Sequence, residues 1–340
     1  MRLTSTGELV PSSNRISSSL SLAPGLAAAA AVAGVAWPLG RLVPHVGSPV
    51  FGLALGVAAA STLPRVPALE SGVAFASRYV LQAAVVALGA TLTLGRVATV
   101  GGGSLPVLFG SLAAAFLAAY AGGRLLRVPG RLTTLIGVGT GICGASAIAA
   151  VSGVVGAAQA EIAYAVSTIF AFNLVAIALF PPLGHLLGLS EPAFGMWAGT
   201  AINDTSSVVA AAYSFGPVAG AQAVVVKLTR TLMILPVAAI LAVVVRRTRA
   251  VAWRRIIPWF LLIFVGAAAL GTAGRIPRSA DHSVRLFAEA LITVALAAIG
   301  LSTRLGDLRR TGPRPLLLGA LVWVSVALAS LAVQRATGKW

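Results

Sequence analysis

The feature that most constrains this chain is a succession of stretches without a single Asp, Glu, Lys or Arg: residues 16–40, 42–64, 97–123, 132–160, 162–190, 205–226, 256–274 and 315–334. A helix rises about 1.5 Å per residue, so about 20 apolar residues cross the ~30 Å hydrocarbon core of a bilayer. Only 10% of the 340 residues are charged and 58% are hydrophobic, too little polar surface to solvate a globular chain of this length. The sequence therefore reads as an all-α polytopic membrane protein whose surroundings are the lipid bilayer. A net charge of +17 in a soluble chain would suggest nucleic acid, but here the basic residues gather between the apolar runs. No nucleic-acid partner is expected.

The polar, Ser-rich residues 1–20 read as a disordered cytoplasmic tail, and residues 21–340 as one transmembrane domain. After an Ala-rich first helix, retained rather than cleaved, further spans are expected near 48–63, 72–94, 105–122, 133–153, 160–182, 193–213, 217–245, 256–273, 284–302 and 315–333, eleven in all. Taking the tail and every second connection gives sixteen arginines, among them Arg65, Arg78, Arg124, Arg127, Arg131, Arg246, Arg304 and Arg314. The opposite side has Arg41, Arg96, Arg275, Arg278, Arg285, Arg335 and Lys339. The positive-inside rule then puts the N-terminus in the cytoplasm and the C-terminus outside. Two re-entrant segments at 133–153 and 193–213 would leave that parity unchanged, so charge does not say whether they cross.

Those two segments are unusual and resemble each other. Gly139-Thr-Gly-Ile-Cys-Gly-Ala-Ser-Ala-Ile-Ala-Ala150 and Gly199-Thr-Ala-Ile-Asn-Asp-Thr-Ser-Ser-Val-Val-Ala210 share Gly, Thr, Ile, Ser and Ala at a constant offset of 60. Four glycines between 137 and 144 weaken a helix by about 1 kcal/mol each, so a Gly-interrupted, broken or re-entrant helix is expected. Freed backbone groups at membrane depth are tolerated only where protein or a watery cavity satisfies them. A second similarity relates residues 86–110 to 297–319, with Gly89, Gly95 and Gly101 matching Gly300, Gly306 and Gly312. Paired interrupted segments within repeats are the mark of a secondary transporter.

Polar groups cluster at the same places. Asp204 follows Asn203 and precedes Thr205 and Ser206, while Thr140, Gly141, Cys143, Gly144 and Ser146 occupy the first motif. Lys227 lies about 15 Å into the span that starts at Pro217, and Arg230, three residues on, shares its helix face. Two cations at that depth call for an anionic partner, either Asp204 in a fixed pair or an external oxyanion. The N-termini of interrupted helices also attract anions. A single Cys excludes an intramolecular disulfide and multi-cysteine metal sites, and the three His are scattered, so no metal and no cofactor are expected. Cys143 is read as a packing residue, and Asn173 and Gln82 as interhelical hydrogen-bonding residues.

The runs 139–150, Trp197–Ala211 and Val226-Lys-Leu-Thr-Arg-Thr-Leu232 together resemble the YeiH-type family of bacterial inner-membrane proteins, to which sulfate export is ascribed. The resemblance covers nearly all of the chain after residue 20. It implies crossed, broken helices and inverted repeats of the kind found in cation-proton antiporters and bile-acid symporters, and a homodimer. Relatives often carry His where this chain has Asn203, which cannot relay protons.

The expected function is secondary active transport of a small anion, a sulfate, organic sulfonate or carboxylate, by alternating access with coupling to H+ or Na+. The alternative is a cation/proton antiporter in which Asp204 is the carrier carboxylate. An enzyme is not expected, because no Ser-His-Asp order and no loop long enough to fold alone occurs.

Overall fold

A computed structural model describes residues 22–42, 47–62, 64, 66–245, 259–275, 277, 280–303 and 313–340. The expected tail at 1–20 lies outside them, as do many of the arginines used to orient the chain. The described residues form helices and no strand.

The helices are α1 (Ala23–Leu42), α2 (Ser48–Thr62), α3 (Pro67–Gly89), α4 (Leu94–Leu125), α5 (Gly130–Gly141), α6 (Ala145–Val155), α7 (Gln159–Leu186), α8 (Glu191–Ala201), α9 (Thr205–Phe215), α10 (Pro217–Val244), α11 (Trp259–Thr272), α12 (Asp281–Ser302) and α13 (Pro313–Ala336). Among the described residues seven are long and apolar enough to cross a membrane, namely α1, α3, α4, α7, α10, α12 and α13. Three shorter apolar helices, α2, α6 and α11, accompany them.

Local chemistry explains several boundaries. Thr93 caps α4 by accepting from the Arg96 N–H at 3.2 Å. The Glu161 carboxylate accepts from the Ala158 N–H at 2.8 Å and closes the start of α7. Pro217 opens α10, where a missing N–H costs nothing, and Pro236 accounts for the tightened turn at Met233 by removing a donor within the helix. Glu191, in the first turn of α8, accepts from the N–H groups of Val218 and Ala219 at 2.8 and 3.1 Å, so one carboxylate ties two helix starts together. Arg78, assigned above to a connection, instead lies exposed in the π-turn Ala76–Val80 inside α3 and drops out of the orientation count.

The helices divide into two packed groups. In one, α1, α2, α3, α11 and α12 lie together, and α2 approaches α12 so closely that a Cβ on Gly56 would stand 2.9 Å from the Gly300 Cα. Only glycine on both helices permits that approach. In the other, α4, α7, α10 and α13 surround the short helices α5, α6, α8 and α9. An apolar layer joins the groups: Leu53 of α2, Phe264 of α11 and Ile292 of α12 meet Ile177 of α7, Val209 of α9 and Val224 of α10. A groove of about 410 Å3 runs along this seam between α2 and α7.

Candidate functional site: two helix breaks closed by buried cations

The sequence similarity at offset 60 coincides with helix ends. α5 stops at Gly141 and α8 at Ala201, and α6 and α9 begin at residues 145 and 205. Each of these four helices is about 17 Å long, half the thickness of the hydrocarbon core. Breaking a helix leaves carbonyls without partners on one side and N–H groups on the other.

The carbonyls are taken by α10. The Lys227 ammonium donates to Ile142 O at 3.0 Å and to Ile202 O at 2.8 Å, so one side chain closes both breaks. Arg230 donates through Nε to Gly141 O at 2.8 Å and through Nη2 to Thr140 O at 3.0 Å. Both cations are buried, at 0% and 1% exposure, where the negative ends of two helix dipoles replace water as their solvent. Of the two partners expected for these cations, the fixed pair with Asp204 is not formed. Three-residue spacing aligns the two cations as expected, but they face carbonyls.

Asp204 has a different set of partners. It caps α9, with Oδ1 accepting from the Ser206 hydroxyl and from the Ser207 N–H at 2.8 Å. Oδ2 accepts from the Asn173 amide and from the Ser207 hydroxyl at 2.6 Å. Four donors fill the four acceptor sites of an ionised carboxylate, and none comes from a cation. Asn173, on α7, also accepts the Asn203 N–H at 3.1 Å, so it braces this break at two consecutive residues. Its interhelical role was legible as a lone amide in an apolar span, but its place at the site was not. Ser207 was missed too, and its position three residues after an N-cap is the signal that could have found it.

The remaining expected residues fall around these bonds. Thr140 contributes its backbone carbonyl, Gly141 ends α5, and Gly144 caps α6 at φ +70°, a conformation that favours glycine. Cys143 is a free, buried thiol between them. Ser146 is exposed, and Thr205 and Ser206 are partly buried. Asn203 is fully buried with neither side-chain polar atom partnered among the described residues, and Arg230 Nη1 is likewise without a partner. Away from the breaks, the Gln82 side-chain oxygen has no partner either, contrary to its expected interhelical bond.

A bundle of apolar helices with two interrupted segments joined by buried cations defines an integral membrane protein. Residues 24–319 match the family described as Conserved hypothetical protein 698, and the chain belongs to that family, in agreement with the YeiH-type resemblance. It is 42% identical over 331 residues to a UPF0324 membrane protein of Streptococcus pyogenes serotype M6, covering 93% of this chain and 98% of that one. A UPF0324 membrane protein of Streptococcus agalactiae serotype V is 38% identical over 331 residues with the same coverage. One of Clostridium tetani is 36% identical over 335 residues, covering 93% and 97%.

Proposed function

We propose that the protein is a secondary active transporter of a small anion, a sulfate, organic sulfonate or carboxylate, working by alternating access. In this reading the thirteen helices make eleven membrane segments, with α5–α6 and α8–α9 each counting as one segment interrupted near the midplane. The half-length of the four short helices supports this. Inverted repeats are supported by the packing of α3 on α12 and of α4 on α13, the helices that the offset of about 210 relates. The chain sits in the bacterial inner membrane with its N-terminus in the cytoplasm and its C-terminus outside, and it works as a homodimer with H+ or Na+ as coupling ion.

The carrying observation is the fully buried Asn203 side chain, unpartnered among the described residues where half-helices begin and two cations are fixed. A buried amide without partners costs free energy unless a ligand satisfies it. The seam between the helix groups supplies a route for rocking: Val209 of α9, one turn beyond Ser206, packs on that seam. Purified protein in liposomes should exchange labelled sulfate or methanesulfonate, and Asn203→Leu should slow exchange about tenfold to a hundredfold, the worth of a hydrogen bond to a charged ligand. Unchanged exchange by a folded Asn203→Leu protein would remove the proposed site.

The antiporter alternative needs Asp204 to take up and release a proton. Loss of all exchange in folded Asp204→Asn would favour it.

A further inference from the structure

The two breaks differ in charge at one aligned position. Asp204 caps α9, and its counterpart sixty residues earlier, Gly144, caps α6 without a side chain. α6 has no acidic residue in its first turn and no side-chain cap, so the Ala145 and Ser146 N–H groups head it without an intrahelical partner. A helix N-terminus alone is not a site, but two residues that meet this break carry buried side-chain groups without partners among the described residues. A Cβ on Gly144 would stand 3.7 Å from the backbone carbonyl of Asn203, whose amide side chain is unpartnered. Arg230, bonded to the last carbonyls of α5, holds its Nη1 without a partner at the same break.

We propose that Asp204 is a resident anion filling the α9 N-terminus, and that the transported ligand is a singly charged oxyanion group seated at the α6 N-terminus. This assignment rests on the anion-transport reading above and deepens it. Backbone N–H of Ala145 and Ser146, the exposed Ser146 hydroxyl, the Asn203 amide and Arg230 Nη1 supply the donors.

The charge count gives the valence. Around the breaks two N-terminal and two C-terminal helix ends cancel, each worth about half a charge. Taken as protonated, Lys227 and Arg230 set two cations against the one carboxylate of Asp204. The other described glutamates are placed elsewhere: Glu161 and Glu191 cap α7 and α10, and Glu70 and Glu289 lie on α3 and α12. A monoanion makes the site neutral, whereas a dianion leaves one uncompensated negative charge in a medium that solvates it poorly. A dianion would have to bring a proton or a sodium ion with it.

Full-length protein in liposomes loaded with labelled methanesulfonate, near pH 7.5 where sulfate carries two charges, tests this. Unlabelled methanesulfonate should compete for exchange at least tenfold more effectively than sulfate. Asp204→Asn, which raises the site charge by one, should bring sulfate level with methanesulfonate or ahead of it. Ser146→Asp, which puts a second resident anion at the α6 N-terminus, should abolish exchange of both while leaving the thermal unfolding midpoint in detergent unchanged, and it serves if Asp204→Asn does not fold. Sulfate matching methanesulfonate in the unmutated protein, or an unchanged ratio in folded Asp204→Asn, would overturn the valence assignment and leave anion transport standing. Undiminished exchange by Ser146→Asp would overturn the seat at α6. Absence of exchange with any anion would remove the transport reading and this assignment together.

Discussion

The α5–α6 and α8–α9 breaks share a sequence pattern and a length but are held open by different chemistry. The first turns through Gly144, whose left-handed backbone needs no side chain, and its carbonyls are taken by Arg230 and Lys227. The second passes through Ile202 and Asp204 in extended conformation without a glycine, and relies on Asp204 and Asn173 to accept the N–H groups of Ser207 and Asn203. Among the described residues only Lys227 serves both. A break therefore needs its orphan groups paired, and backbone freedom or side-chain capping are interchangeable ways to arrange the turn.

Substitutions can take the two breaks apart. Lys227→Met should have the largest effect, because it leaves Ile142 O and Ile202 O unpaired at about 1–3 kcal/mol each and loosens both breaks at once. The thermal midpoint in detergent should fall further than for any single substitution below, and amide exchange should rise in residues 141–148 and 201–208 together. Protection lost in only one of these segments would contradict the shared staple. Gly144→Ala should cost about 1–3 kcal/mol from backbone strain alone, since the nearest side-chain atom would be 3.5 Å from the new Cβ. Its exchange signature should be confined to the first break.

Asn173→Ala should cost about 1–2 kcal/mol and raise exchange only in the second break, where it removes the acceptor for Asn203 N–H and one donor to Asp204. Equal exchange at both breaks would mean that they are coupled more tightly than their separate partners imply. The smallest effect is expected from Ser330→Ala in the α8–α13 contact, where Thr200 and Ser330 share a hydrogen at 2.6 Å. Loss of about 0.5–1.5 kcal/mol with anion exchange intact would mark that contact as support outside the site.

Much of this molecule was legible in its residues. Apolar runs located the helices because a bilayer dictates their length and polarity, and the offset of 60 marked the two segments, 133–153 and 193–213, that contain the breaks. Asp204, Lys227 and Arg230 stood out because charge at membrane depth is expensive. Their pairing did not follow, since opposite charges in one region suggest a salt bridge, whereas here carbonyl dipoles satisfy the cations and hydroxyl and amide donors satisfy the carboxylate. Arg78 was counted with the connections although the expected span 72–94 encloses it, and a π-turn carries it inside α3.

The sequence alone determined that the chain lives in a membrane, where its helices lie, where two of them are interrupted and that Lys227 and Arg230 share one face. Local periodicity and the cost of burying charge are enough for that. Only the tertiary structure decided what the shared face meets. The carbonyls that satisfy Lys227 and Arg230 at the first break belong to residues 85 to 90 positions earlier in the chain. Helix spacing says nothing about them, because a hydrogen bond is set by which surfaces pack together and not by distance along the chain.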